Sequence, residues 1–148
     1  MVKKAQKVRS DIIHTAGKRK RAVARATLQP GNGVVRFNHT NLNIVQPEFA
    51  RLRLQEPLMI AGQVANELDI EVMVFGGGWS AQIEAARLAI GKALVQYAGT
   101  KSKSAGEDLK KTFLEYDRHL LVADTRHKEP RKFGRHSRAR ATRQTSYR

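Results

Sequence analysis

The chain is 148 residues long, with 28 Lys/Arg against 13 Asp/Glu, a formal net charge of +15, 41% hydrophobic residues and no cysteine. That length suits one domain with a real core plus extensions, the missing cysteines exclude disulfides and Cys-ligated zinc modules, and no apolar run approaches membrane-spanning length. The charge is uneven: residues 1–25 hold nine Lys/Arg and one acid (net +8), residues 26–125 ten and eleven (net −1), and residues 126–148 nine and one (net +8).

A near-neutral body with two basic arms points to nucleic acid. A membrane-surface protein would set its bases opposite Trp, Phe or Leu on an amphipathic helix, and neither arm reads that way. The N-terminal text lacks an apolar signal core, and Asp11 argues against a transit peptide. The expectation is a cytoplasmic protein with a basic extension over 1–11, a globular domain over 12–125 and an extended basic tail over 126–148.

In chain order, residues 12–29 read as a strand, with Val23, Ala24 and Leu28 among alternating bases. Gly17 inside it predicts a bulge or a close backbone approach. The PGNG text at 30–33 is a turn signal, and residues 34–37 read as the returning strand of a β-hairpin. Lys18, Arg19, Lys20 and Arg21 then lie on the hairpin's first arm, a run too dense for edge protection alone. Pro47 fits the first turn of a helix, and residues 47–62 suggest one or two short helices divided near Pro57. Residues 68–75 (LDIEVMVF) read as a strand apolar on both faces, hence covered on both.

Gly76, Gly77 and Gly78 end that strand. Ser80 is the expected cap of a helix over 81–98, whose buried face carries Ile83, Ala86, Ile90, Leu94 and Tyr97. Gly91 is a local cost unless something packs against it. Gly99 reads as a helix stop, residues 100–106 as a loop, 107–114 as a short helix and 116–123 as a last docked segment.

The triple glycine lacks the spacing of a dinucleotide fingerprint and the lysine of a phosphate loop, so we read it as a tight strand-to-helix turn. Its amides can still hold one phosphate of a nucleic acid. Trp79 reads as a packing anchor rather than a stacking platform. His14, His39, His119, His127 and His136 show no metal-ligand spacing, so no metal and no cofactor is expected. Glu107, Asp108, Glu115, Asp117 and Asp124 among Lys110, Lys111 and Arg118 read as a solvated face with local ion pairs. No catalytic arrangement stands out, and no enzyme activity or small-molecule substrate is expected.

Residues 131–148 (RKFGRHSRARATRQTSYR) hold seven Lys/Arg and no acid. Such a segment has too little apolar surface to order alone and suits a polyanion partner. Fully extended it reaches at most roughly 60 Å.

Several stretches together are specific: HTAGKRKRAVAR at 14–25, PGNG at 30–33, FGGGWSAQ at 75–82, AARLAIGKALV at 85–95, YDR at 116–118, LLVAD at 120–124, EPRKFG at 129–134, Ala139-Arg140 and SYR at 146–148. The chain resembles the S-nine family of small-ribosomal-subunit proteins from about residue 14 to its end. The YDR, LLVAD and SYR wording is similar to the archaeal and eukaryotic branch. It departs from the family pattern at 134–143, where no aromatic residue follows Arg138-Ala-Arg140.

The resemblance implies an α+β fold: a single domain like the second domain of ribosomal protein S-five, a mixed β-sheet with helices packed on it and a left-handed β-α-β crossover. It implies a place in the head of the small subunit, with small-subunit ribosomal RNA and neighbouring head proteins as partners. The expected ribosomal RNA contacts are Lys18, Arg19, Lys20, Arg21, Arg25, Gly76, Gly77, Gly78, Arg131, Lys132, Arg135, Arg138, Arg140 and Arg143. Ser146, Tyr147 and Arg148 would touch the anticodon stem-loop of P-site transfer RNA. The alternatives are a DNA-binding architectural protein and a nucleotide-binding enzyme of the same fold superfamily, which would need a phosphate loop and a placed acid or base.

Overall fold

A computed structural model of the chain describes residues 12–133. Five strands, β1 (Ile13–Arg19), β2 (Ala22–Pro30), β3 (Val35–Phe37), β4 (Thr40–Asn41) and β5 (Leu68–Phe75), form one sheet in the spatial order β1-β2-β5-β3-β4. All neighbours run antiparallel except β3 and β5, which are parallel, so the sheet is mixed. Together with its helices it makes a single α+β domain.

The expected hairpin is corrected twice. The run at 12–29 is two strands joined by a two-residue turn at Lys20 and Arg21, with Arg19 opposite Ala22. Residues 35–37 do not return along β2 but pair with the far edge of β5. The physical reason is Asp69 in β5. Its Oδ1 accepts the backbone amides of Asn32 (2.9 Å) and Val34 (3.0 Å), which pins the PGNG turn to β5. Those two amide bonds, Val34 first, hold the Asp69 carboxyl below the ordinary carboxylate range.

Helix α1 (Glu48–Ala61) leads from the β4 end toward β5. It runs through Pro57, which is buried, and Pro47 stands at its N-cap instead of inside the first turn. A proline removes one helix bond, but here packing holds the helix across it, and the break comes at Gly62 before the short α2 (Gln63–Asn66). Helix α3 (Trp79–Lys101) is longer than expected at both ends. Its N-cap is Gly78, so Ser80 lies inside the first turn and caps nothing. Gly99 stops neither α3 nor the helical run: after one residue, Ser102, the chain enters α4 (Lys103–Tyr116). A Cβ on Gly106 would lie 2.6 Å from the Gly99 Cα. The two glycines are the crossing point of α3 and α4, which explains why neither marks a loop.

Helix α3 is buried on most of its circumference, with Ile83, Ala85, Ala86, Leu88, Ala89, Ile90, Ala93, Leu94 and Tyr97 all in the core. It lies between the sheet and the layer formed by α1 and α4, so one apolar stripe would not serve. Alanines on both sides set a short separation: Ala22, Ala24 and Ala26 on β2 face Ala-rich α3. At Gly17 the backbones nearly touch. A Cβ there would lie 2.0 Å from the Ala85 carbonyl oxygen, and next to it the Thr15 hydroxyl donates to the Ala89 carbonyl (2.8 Å). The pairing of β1 with β2 is regular through Gly17, so of the two expectations it is the close approach that holds. Gly17→Ala is expected to cost about 1–3 kcal/mol through forced separation of β1 and α3; a denaturant midpoint equal to the parent's would refute it.

After α4 a 3₁₀ turn (Arg118–Leu120) docks as expected, with Leu120 fully buried and its carbonyl against Gly91. Among the described residues no α-helix packs on the sheet's other face. On β5 it presents Asp69, Glu71, Met73 and Phe75, and Phe75 is 60% exposed. The expectation of a strand covered on both sides is therefore corrected. The apolar residues of that second face cluster at one end of an open surface. Among the described residues no helix is long and apolar enough to cross a membrane.

Candidate nucleic-acid interface

The turn between β1 and β2 puts Lys20 and Arg21 at the tip of a hairpin, both exposed. Lys20 sits at φ 53°, a left-handed conformation that disfavours any residue with a Cβ by roughly 1–2 kcal/mol. A glycine would relax the turn but would remove a charge from its apex.

The triple glycine wraps this tip. Gly76 and Gly77 both have positive φ (74° and 67°). A Cβ on Gly76 would lie 2.8 Å from the Arg21 carbonyl oxygen, and one on Gly77 2.9 Å from the Ala22 nitrogen. These two glycines hold the hairpin tip against the start of α3. Gly78 is different: among the described residues a Cβ there meets nothing within 4 Å. Among them no side chain caps the first amides of α3, so a helix N-terminus with its partial positive charge opens beside Lys20 and Arg21.

The chain leaving the domain joins the same place. His127 and Lys128 line one depression with Lys20, Arg21, Gly77 and Gly78. Trp79 and Ser80 line its continuation with Arg19 and Glu84. Trp79 is 57% exposed on this rim, which corrects its reading as a packing anchor.

What aims the exit segment, residues 121–133, is Asp124. It accepts the Arg126 amide (2.8 Å) and forms an ion pair with Arg19. The Arg126 bond first, and then the Arg19 guanidinium, hold its carboxyl below the ordinary range. Asp117 has a similar task at the preceding turn. It caps the 3₁₀ turn through the His119 amide (2.8 Å) and pairs with the buried Arg87 (2.7 Å). Asp117 and Asp124 are thus structural ties, a correction to their reading as part of a solvated face. Lys111 and Asp108, 3.9 Å apart, fit that reading.

The expected site residues fall into groups. Lys20, Arg21, Gly76, Gly77 and Gly78 gather at the hairpin tip. Lys18 and Arg25 are exposed on the open face of the sheet. Arg19 points to the helix side, engaged by Asp124. Arg131 and Lys132 are exposed on the exit segment, and Lys132 has a local partner in Glu129 (2.8 Å); such exposed pairs are worth little and yield to a stronger anion. Arg135, Arg138, Arg140, Arg143, Ser146, Tyr147 and Arg148 lie outside the described residues. Sequence reasoning missed His127, Lys128 and Trp79. Lys128 belonged to the basic arm in plain view, but nothing in the linear text brings it to the glycine turn.

Among the described residues no group of acidic or histidine side chains could hold a metal ion. The bases of α1 also differ from those at the tip: Arg51 pairs with Glu48 and Arg53 with Glu56 (both 3.2 Å), so that helix offers a polyanion little.

The family model of ribosomal protein S9/S16 matches residues 17–148. Among curated proteins, the small ribosomal subunit protein uS9 of Methanococcus vannielii is 43% identical over 138 residues, covering 93% of this chain and 98% of that protein. Those of two Methanococcus maripaludis strains are 43% and 42% identical over the same length. The match takes in the hairpin, the glycine turn, α3 and the basic tail alike, and the chain belongs to the ribosomal protein S9/S16 family, in its archaeal-type branch.

Proposed function

We propose that this chain is a structural constituent of the small ribosomal subunit in the cytoplasm, that it binds ribosomal RNA through the hairpin tip, the glycine turn and the exit segment, and that its basic tail reaches P-site transfer RNA. Family membership supports the ribosomal role. The observation that supports ribosomal RNA binding is the convergence of Lys20, Arg21, the uncapped start of α3 and Lys128 on one groove. Uncapped amides and clustered bases suit phosphate oxygens, and such contacts fix position without reading base identity. The globular body places the basic arms, which supply most of the charge. The first test is co-sedimentation: the protein should stay with the small subunit through a high-salt wash, and its loss would reject the assignment.

The tail has a separate test. Ser146, Tyr147 and Arg148 are taken as its functional end. Arg148 would bind transfer RNA phosphates, and Tyr147 would add a stacking or hydroxyl contact. Deleting the three residues should leave assembly intact and raise the transfer RNA off-rate from small subunits by about tenfold, the equivalent of one charge-assisted contact. The effect should be the same for every transfer RNA. An unchanged off-rate would reject a direct role for these residues.

A further inference from the structure

The open face of the sheet carries an arrangement that the hairpin groove does not use. In the register of β1, β2 and β5, one row reads Lys18, Val23, Phe75 and the next Ala16, Arg25, Met73. Strand alternation sets all six on the face away from α3. Val23, Phe75 and Met73 adjoin as an apolar corner with Phe75 60% exposed, while Arg25 lies diagonal to Phe75 and Lys18 closes the far end of its row. Diagonal neighbours across a strand pair are about 7–8 Å apart, within reach of long side chains and aromatic rings.

Around Phe75 the charge on this face is one-signed. Its two acids are on β5, Glu71 diagonal to Arg25 and Asp69 one step beyond, and both are engaged. Asp69 holds the turn amides, and Glu71 accepts from His39 (3.1 Å). Among the described residues neither Lys18 nor Arg25 is in an ion pair with a carboxylate. The exposed apolar stripe of α1 (Phe49, Leu52 and Met59) is the contrast. There Arg51 pairs with Glu48, and Arg53 pairs with Glu56, which Arg87 shares, and lies over the Phe49 ring (5.6 Å), so little is left for a polyanion.

We infer that the open face is a stacking platform for single-stranded RNA: the Phe75 ring takes one base, Val23 and Met73 support it, and Lys18 and Arg25 hold the adjoining phosphates. Aromatic rings on a sheet flanked by bases bind unpaired nucleotides because every base has a π-face, whereas an RNA duplex hides its base faces. Phe75 directly precedes Gly76, so the platform runs into the hairpin groove. The inference rests on the RNA-binding reading above and adds to it the kind of RNA and the residues that meet it.

The test uses the full chain, with a labelled single-stranded RNA of about 12 nucleotides and a duplex of the same length as probes. Phe75→Ala should weaken single-strand binding about five- to thirtyfold, with duplex affinity and salt slope unchanged, and Phe75→Tyr should retain it. Arg25→Gln should weaken both and lower the slope of log affinity against log salt by about 0.7 for the single strand. A thiouridine in the strand should crosslink wild-type protein within residues 68–78. Single-strand affinity of Phe75→Ala equal to wild type, or crosslinks confined to the hairpin tip and residues 126–148, would overturn the platform while leaving the RNA-binding reading standing. Failure of wild type to bind either probe would overturn both.

Discussion

A chain combining Glu56→Gln with Asp117→Asn should lose about 3–5 kcal/mol of stability, because it leaves the buried Arg87 guanidinium without either of its ion-pair partners. Arg87 is 2% exposed in the middle of α3. It reaches Glu56 on α1 (2.6 Å) and Asp117 at the end of α4 (2.7 Å). Burial alone would make the Arg87 charge easier to lose, but the Asp117 bond and the Glu56 charge outweigh it and raise its pKa. Its Nε finds no acceptor among the described residues, which reduces the net gain. Arg87→Met should cost less, about 2–4 kcal/mol, since both carboxylates are partly exposed and can be hydrated. Combining all three substitutions should recover part of the loss, because no buried charge then remains. Urea unfolding of the four chains measures this coupling, and simple additivity would show that the three groups do not act as a unit.

The same triad gives a pH signature. Burial raises the Asp117 pKa, but the Arg87 bond and the His119 amide together bring it below its ordinary value. A carboxyl with a lower pKa folded than unfolded contributes stability above its unfolded pKa of about 3.9 and loses it as pH falls through the folded value. The stability gap between wild type and Arg87→Met should therefore be full at neutral pH and narrow below about pH 4. A gap independent of pH would mean that Asp117 is not held by Arg87 in solution.

Much of this fold can be read in the sequence, and the misses share a cause. Strand β5, α3 and the docked turn at 118–120 follow from local pattern. The glycines at 17 and 91 announce themselves because a glycine inside a strand or helix is costly without a close neighbour. Gly99 gives the opposite signal to its role: a glycine after a helical run looks like a stop, and only the arrival of Gly106 from α4 makes it a crossing point. The partner of β3 is set by one carboxylate, Asp69, some 35 residues from the amides it accepts, and no local pattern contains that. The turn at Lys20 and Arg21 was hidden because neither is a turn-forming residue. The candidate site divides in the same way. Its charge is plain in the composition, but which bases are free depends on where two acids fall. Arg19 and Lys20 are indistinguishable as text, yet Asp124 engages one and leaves the other at the tip.

That difference sets the largest expected effect on binding. Replacing Lys18, Lys20 and Arg21 together with serine, and keeping Arg19, should weaken ribosomal RNA binding about 10²- to 10³-fold at about 0.1 M salt. Each neutralised phosphate contributes close to a factor of about ten there, and the slope of log affinity against log salt should fall by about 2–3. The fold should survive, because all three side chains are exposed and surface replacements rarely exceed about 0.5 kcal/mol each. Arg19→Ser should act through a different route. It removes the ion-pair partner of Asp124 and so loosens the segment that carries His127 and Lys128 past the hairpin. Amide exchange over residues 122–128 should speed up in that variant and remain unchanged in the triple variant. The salt slope should move little with Arg19→Ser, since the lost charge was already matched by an acid. If instead Arg19→Ser lowers the slope by about one unit and leaves exchange unaltered, Arg19 is a phosphate ligand in its own right. The exit segment would then be aimed by the Asp124–Arg126 turn alone.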